Sequence, residues 1–195
     1  MIFGLILAGG RSRRFGSDKA LATLGGVTLL ARAHARLTQV CDVVAVSASD
    51  TSSVAATARA LGSPVLPDPR GSPRGPLSGV LAGLEWAQGK GGGQLITLPC
   101  DAPLAPIDLE SRLLDAIGDA PASVARTPDG MQPLCAVWRS WMIRPLALAL
   151  ADGLHPPVHQ VLSDANAVEV TFQDATAFLN INTLEDLAIA ERRLR

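Results

Sequence analysis

The chain has no tyrosine and only four phenylalanines and three tryptophans. Any core must therefore be built from Leu, Val, Ile and Ala, with little ring stacking. Charge is scarce too: 18% of residues are Asp, Glu, Lys or Arg, and the net charge is -1. A general nucleic-acid-binding surface, which shows as a strongly basic domain or stripe, is excluded by that balance. The three cysteines, Cys41, Cys100 and Cys135, are far apart, odd in number and form no C-x-x-C pair. That argues against zinc or iron–sulfur ligation and against a disulfide framework, and for buried reduced thiols in a cytosolic protein. No apolar run is long enough to span a bilayer, and the chain opens on a strand with no charged or cleavable segment ahead of it, so the expectation is a soluble cytoplasmic protein.

What is present is a globular profile: 195 residues, 48% hydrophobic, with 18 glycines and 14 prolines, enough for one domain with a full core and several loops. Ile2–Ala8 reads as a buried strand stopped by Gly9-Gly10. Helix is expected from about Thr28 to Leu37 and from Ser52 to Leu61, with strands at Asp42–Ser47 and Val65-Leu66. The Pro/Gly-rich stretch from Pro67 to Pro76 suits neither. A helix over Leu77–Ala87, a strand over Leu95–Leu98 and a helix from about Ile107 to Ile117 follow. Strands near Ser123–Arg126 and Pro133–Trp138 bracket the turn Pro128-Asp129-Gly130. A helix carrying Pro145 in its first turn, a short helix at Val158–Ser163, a strand at Ala167–Phe172 and a closing helix capped by Thr183 complete the pattern. Strand–helix alternation in the first hundred residues predicts βαβ units and a mostly parallel sheet, with a less regular second half built onto it. Ligands of such sheets sit at the carboxyl ends of the strands, so Gly9-Gly10, Ser47, Asp68 and Asp101, each placed after a strand, should gather there.

The most informative stretch is Gly9-Gly10-Arg11-Ser12-Arg13-Arg14-Phe15-Gly16-Ser17-Asp18-Lys19. Glycines let backbone N–H groups approach phosphate oxygens, and converging cations neutralise them. Lys19 would act as a mobile point charge, while Arg11, Arg13 or Arg14 supplies a forked contact. Asp18 reads as a local loop-capping or ion-pair partner. The loop is not a Walker A motif, because five residues separate Gly10 from Gly16 and Ser17 follows where Lys is needed. It is not G-x-G-x-x-G either. Asp101 stands straight after a buried strand between Pro99 and Pro103, a costly place for a carboxylate without a cation. Mg²⁺ commonly takes one or two carboxylates together with phosphate oxygens. Asn180 and Asn182 flank Ile181, so in an extended segment they point to one side, toward a metal or phosphate or as braces for the last helix. Gly75 and Gly79 allow a close backbone approach, to ligand or to the sheet. His155 and His159 are separated by Pro156-Pro157 and lack the Glu of an H-E-x-x-H site, so zinc is not expected. Trp86, Trp138 and Trp141 read as packing residues, with one of the last two a candidate for a pterin pocket.

Four segments carry a family resemblance: Leu7–Lys19, Asp68 with Gly75-Pro76-Leu77-Ser78-Gly79, Leu98-Pro99-Cys100-Asp101-Ala102-Pro103, and Phe178-Leu179-Asn180-Ile181-Asn182-Thr183-Leu184-Glu185-Asp186-Leu187. In that order they resemble the molybdenum cofactor guanylyltransferases, the MobA family of nucleotidyltransferases. The resemblance implies a three-layer Rossmann-like α/β sandwich, with a nucleotide-binding half at about 1–105 and an acceptor-binding half at about 106–195. It implies transfer of GMP from GTP to the terminal phosphate of molybdopterin, with Mg²⁺ at Asp101 and handover partners for the pterin. Lys19, Arg11, Arg14 and Asp101 would be catalytic. Leu7, Ala8, Gly9, Gly10, Ser47, Asp68 and Gly79, with Lys19 and Asp101, would bind the nucleotide, and Asn180 and Asn182 the acceptor. The chain departs from the family pattern at Ser47, where Asn is frequent, and at Gln132, where a His-Pro pair is usual. Two rival readings share these residues. One is a sister transferase using CTP with molybdopterin, or acting on a sugar or alditol phosphate. The other is a nucleotide-binding module without turnover.

Overall fold

The computed structural model describes residues 1–8 and 18–194. The segment 9–17, with Gly9, Gly10, Arg11, Arg13 and Arg14 and the roles expected of them, lies outside the described residues. The elements in chain order are β1 (Ile2–Leu7), β2 (Thr23–Leu24), β3 (Val27–Thr28), α1 (Leu29–Leu37), β4 (Val43–Ser47), α2 (Ser53–Ala60), β5 (Val65–Leu66), α3 (Pro76–Gly89) and β6 (Gln94–Pro99). Then come α4 (Leu109–Ala116), β7 (Ala122–Thr127), β8 (Gly130–Arg139), α5 (Ile143–Ala149), α6 (Val158–Asp164), β9 (Val168–Thr171) and α7 (Leu184–Arg193). Among the described residues no helix is long and apolar enough to cross a membrane.

Seven strands form one sheet in the order β5-β4-β1-β6-β8-β7-β9. All pairings are parallel except those of β8, which lies antiparallel between β6 and β7. The sheet therefore runs without a break through both halves of the chain. Its strands read as continuous apolar runs because helices cover both faces. On one face α1, α2 and α4 contribute Leu30, Ala33, Leu37, Val54, Ala58, Leu109 and Leu113 against Ile6, Val44 and Val46. On the other, α3, α5 and α6 contribute Leu77, Val80, Leu84, Leu146, Val161 and Leu162 against Phe3, Leu5, Leu7 and Trp138. Helix boundaries follow local chemistry: Thr28 and Ser52 cap α1 and α2 by accepting Ala31 N–H and Ala55 N–H, each at 3.1 Å.

Two features differ from the sequence expectation. Between Lys19 and α1 the chain makes a hairpin, with Thr23 paired to Thr28 and Leu24 to Val27. Gly25 and Gly26, at φ 59° and 79°, supply the two left-handed residues of its turn. Leu24 and Leu29 then join Ile181 and Ala190 in a small third cluster that seats α7 on the hairpin. The second difference is the return of β8 along β6, beginning already at Gly130. Its register against β7 slips, Ala125 facing Gln132 while Val124 faces Ala136, around Pro133, which has no N–H to give a ladder.

Candidate active site

The chain winds from β1 to β4 to β5 on one side, then returns through α3 to place β6 on the other side of β1. This reversal opens a crevice at the carboxyl ends of β1 and β6, where ligands of doubly wound sheets bind. Backbone bonds extend the ends of the strands: Cys100 N–H donates to Leu7 carbonyl at 3.3 Å and Ala8 N–H to Ser47 carbonyl at 3.3 Å. Leu7, Ala8, Ser47 and Asp101 thus share one edge.

Asp101 follows β6 in the turn after Pro99. Its side chain is 19% exposed, and the 17% exposed ammonium of Lys19 forms an ion pair with its Oδ2. Lys19 Nζ also donates to Asn182 Oδ1 at 3.0 Å. Cation, carboxylate and amide come from segments 82 and 163 residues apart in sequence. Backbone geometry holds the amide there. Ile181 N–H donates to Asp101 carbonyl at 2.8 Å, and the Ile181 side chain is fully buried while Asn180 and Asn182 are exposed. This is the alternation read from the sequence. Among the described contacts Asn182 joins the Lys19–Asp101 pair, and Asn180 has no recorded hydrogen bond.

Asp186, which the sequence reading did not single out, supports this corner. Its carboxylate accepts Asn182 N–H at 2.9 Å and Thr183 N–H at 2.8 Å, while Thr183 Oγ1 accepts Asp186 N–H at 3.1 Å. The result is a full capping box on α7. The Asn182 N–H bond, then Thr183 and at longer range the Lys19 charge, hold the Asp186 carboxyl below its ordinary range. The spacing Thr183-x-x-Asp186 was a usable signal. Asp18 accepts a hydrogen bond from Ser53 Oγ, at the start of α2. Behind Asp101, the Arg36 guanidinium on α1 donates to Glu110 at 2.5 and 2.8 Å, to Ala105 carbonyl at 2.5 Å and to Pro106 carbonyl. Glu110 is 3% exposed. This network grips the loop that leaves Asp101.

Other expected residues lie apart from this corner. Asp68 follows β5, three strand spacings from β6, or about 14 Å across the sheet. It is exposed on the far side of the crevice. Burial of its surroundings pushes its carboxyl up, and Arg74 and His155 pull it back down. Gly79 does not open toward the crevice. It is buried, and a Cβ there would sit 2.6 Å from Ser47 Oγ and 3.2 Å from Leu7 Cδ2. Its missing side chain serves the seam between α3 and the sheet, and Ser47, 6% exposed, lies beneath it. Gly75 is likewise approached by protein, the His155 imidazole.

Trp138 is a core residue whose Nε1 donates to Thr97 Oγ1 at 3.0 Å, and Trp86 stacks edge-on to Phe3 with ring centroids 5.0 Å apart. Trp141 is 59% exposed beside Gly93 and Arg139, at the amino end of β6, so it lines no pocket at this site. The three cysteines are free and buried, as expected. Burial pushes the Cys100 and Cys135 thiols to about 12. Among the described residues no group of three His, Cys, Asp or Glu side chains could hold a metal by itself. A lone Asp101 with an amide oxygen nearby suits a hard cation that shares its shell with phosphate oxygens.

The chain is similar to known proteins along its whole length. Residues 4–167 match the family model described as the MobA-like NTP transferase domain. A molybdenum cofactor guanylyltransferase of Cereibacter sphaeroides is 43% identical over 195 residues, spanning 100% of this chain and 97% of that one. A molybdenum cofactor guanylyltransferase of Rhodobacter capsulatus is 42% identical over 198 residues, with the same coverage. Among solved structures, molybdopterin-guanine dinucleotide biosynthesis protein A of Archaeoglobus fulgidus superposes with a TM-score of 0.79. It is 20% identical, over 98% of each chain, and so speaks for the fold.

Proposed function

The chain belongs to the MobA-like NTP transferase family, and we infer that it is an enzyme that moves GMP from GTP to the terminal phosphate of molybdopterin. The observation that carries the site assignment is the convergence of Lys19, Asp101 and Asn182 at the carboxyl ends of β1 and β6. The reaction needs no side-chain base. A phosphomonoester's second pKa is about 6, so the acceptor phosphate is already anionic near neutral pH. Its oxygen bonds to the α-phosphorus of GTP as the bond to the bridging oxygen of the β-phosphate breaks. The electron pair leaves with pyrophosphate.

The protein's task is then to align two anions and neutralise the departing charge. Lys19 reaches the crevice and in this reading steadies the leaving pyrophosphate, a task that Arg11 and Arg14 would share. Leu7, Ala8, Gly9, Gly10, Ser47 and Asp68 would serve the nucleoside, and Asn180 and Asn182 the acceptor. The nucleotide half is about 1–105 and the acceptor half about 106–195. Asp101 would hold Mg²⁺, whose positive charge when bound withdraws electron density from the phosphates. The donor set, hard oxygens with the neighbouring thiol held protonated, fits that ion. Direct handover of the pterin between partner proteins completes the proposal, because an unstable cofactor survives best when passed by contact.

The test is pyrophosphate release in the presence of Mg²⁺, molybdopterin and each of GTP, CTP, ATP and UTP. Release with GTP is expected. Lys19→Ala and Asp101→Asn should each lower the rate about 10²-fold or more, the size typical of losing one transition-state contact. Turnover driven by CTP would assign the sister reaction instead, and an unchanged rate in Lys19→Ala would remove Lys19 from the chemistry.

A further inference from the structure

His155 belongs to neither half of the chemistry above, yet its placement is specific. It lies between a 3-10 turn at Ala151–Gly153 and α6, and Pro156-Pro157 follow it directly. A residue before proline is held extended, so the ring leaves the backbone in a fixed direction. Its tip meets the Asp68–Gly75 loop end on. A Cβ built on Gly75 would lie 2.1 Å from His155 Nε2 and 2.6 Å from both Cδ2 and Cε1. The Nε2 atom is buried and has no hydrogen-bond partner among the described residues. A buried polar atom without a partner is a cost, so the fit of the ring to the glycine, not a hydrogen bond, defines this contact.

The loop it touches has few other ties. Between β5 and α3, the recorded hydrogen bonds of residues 67–75 are local: Ser72 N–H to Pro69 carbonyl at 3.1 Å, Ser78 Oγ to Pro73 carbonyl at 2.5 Å, and Gly79 N–H to Gly75 carbonyl at 3.5 Å. Pro67, Pro69 and Pro73 make the intervening backbone stiff. A stiff loop fixed at one end transmits that fix to the other, and Asp68 is at the other end. Asp68 also has Arg74 and then His155 as electrostatic neighbours.

We propose that His155 is a positioning residue whose imidazole, seated against Gly75, locks the Asp68–Gly75 loop and so holds the nucleotide side of the site from the acceptor half of the chain. The function of the lock rests on the reading of Asp68 as a nucleoside contact. It also gives residue 75 a second reason to be glycine: beside its φ of 158°, the space for a side chain is already filled by His155.

The experiment uses the full chain with His155→Ala, Gly75→Ala, the double variant and Asp68→Ala. Hydrogen exchange of residues 67–75 is measured without substrate, GTP affinity by calorimetry with Mg²⁺, and KM separately for GTP and molybdopterin. His155→Ala should speed exchange of the loop about tenfold and raise the GTP dissociation constant and KM about tenfold. The KM for molybdopterin, kcat and the exchange of α6 should stay near wild type. Gly75→Ala should be the more damaging single change, and adding His155→Ala should recover part of its defect, because the clash goes with the ring while the backbone at φ 158° stays strained. Loop exchange unchanged in His155→Ala, or a Gly75→Ala defect that the double variant does not reduce at all, would overturn the lock. If loop exchange rises while neither His155→Ala nor Asp68→Ala alters GTP affinity, the lock stands and the nucleoside role of Asp68 falls.

Discussion

Removing the Arg36 guanidinium tests the support behind Asp101. In the folded protein Arg36 makes a forked pair with Glu110 and donates to the carbonyls of Ala105 and Pro106. Its own side chain is 21% exposed and that of Glu110 only 4%. Arg36→Ala would leave a carboxylate buried without its counter-charge, which costs about 3–5 kcal/mol. That is a large share of the roughly 5–15 kcal/mol that holds a domain folded. With a urea m-value of about 2 kcal/mol/M, the unfolding midpoint should fall by roughly 1.5–2.5 M. The double variant Arg36→Met/Glu110→Leu removes both charges and should recover most of the loss, since apolar replacement of a buried pair is often close to neutral. Its folded form would still lack the grip on residues 105 and 106, so its turnover should stay below wild type although its stability returns. A loss under about 1 kcal/mol in Arg36→Ala would refute the reasoning. It would mean that the pair behaves as a solvated surface contact, and that the loop after Asp101 is held by packing alone.

Two further outcomes follow from the same structure. Burial pushes the Cys41, Cys100 and Cys135 thiols from 9.0 to about 12, so at pH 8 about one in ten thousand is thiolate and a maleimide or disulfide reagent should label none of them until the chain unfolds. Their folded values lie above the unfolded one, so this contribution to stability is complete below about pH 9 and declines as the pH rises from there toward 12; a urea midpoint flat from pH 8 to 11 would contradict it. Asp186 is shifted the other way: its folded value is lowered, so its contribution is present above the unfolded value of 3.8 and fades as the pH falls through the folded one. The amide signals of Asn182 and Thr183 should therefore move together below about pH 4, and Asp186→Asn should abolish that joint titration while weakening the hold on Asn182.

Much of the architecture was legible because it is written in local chemistry. Apolar runs stopped by Gly-Gly or by Pro-Cys-Asp gave β1 and β6 within a residue or so, and Thr28, Ser52 and Thr183 marked the helix starts where they occur. The pairing of Lys19 with Asp101 was legible only in outline, as two groups that ought to share one end of a parallel sheet. Three features were not legible. The hairpin Thr23–Thr28 is too short to carry a period, so only the helix that follows it shows in the sequence. The reversal of β8 between β6 and β7 depends on which strand edge is free, a property of the whole sheet. His155 and Gly79 find their partners, Gly75 and Ser47, across gaps of 80 and 32 residues, and no spacing rule reaches that far.

The sequence by itself determined the layered α/β class, the family and the short list of charged and glycine residues at strand ends, because periodicity, caps and turn chemistry act over a few residues. Tertiary structure alone decided the pairings. It joined Lys19 to Asp101 and Asn182, turned Gly79 to the sheet, and placed His155 on the Asp68 loop. Each of these contacts exists only once segments distant in sequence are packed together, since hydrogen bonds and excluded volume act over ångströms in space and are blind to distance along the chain.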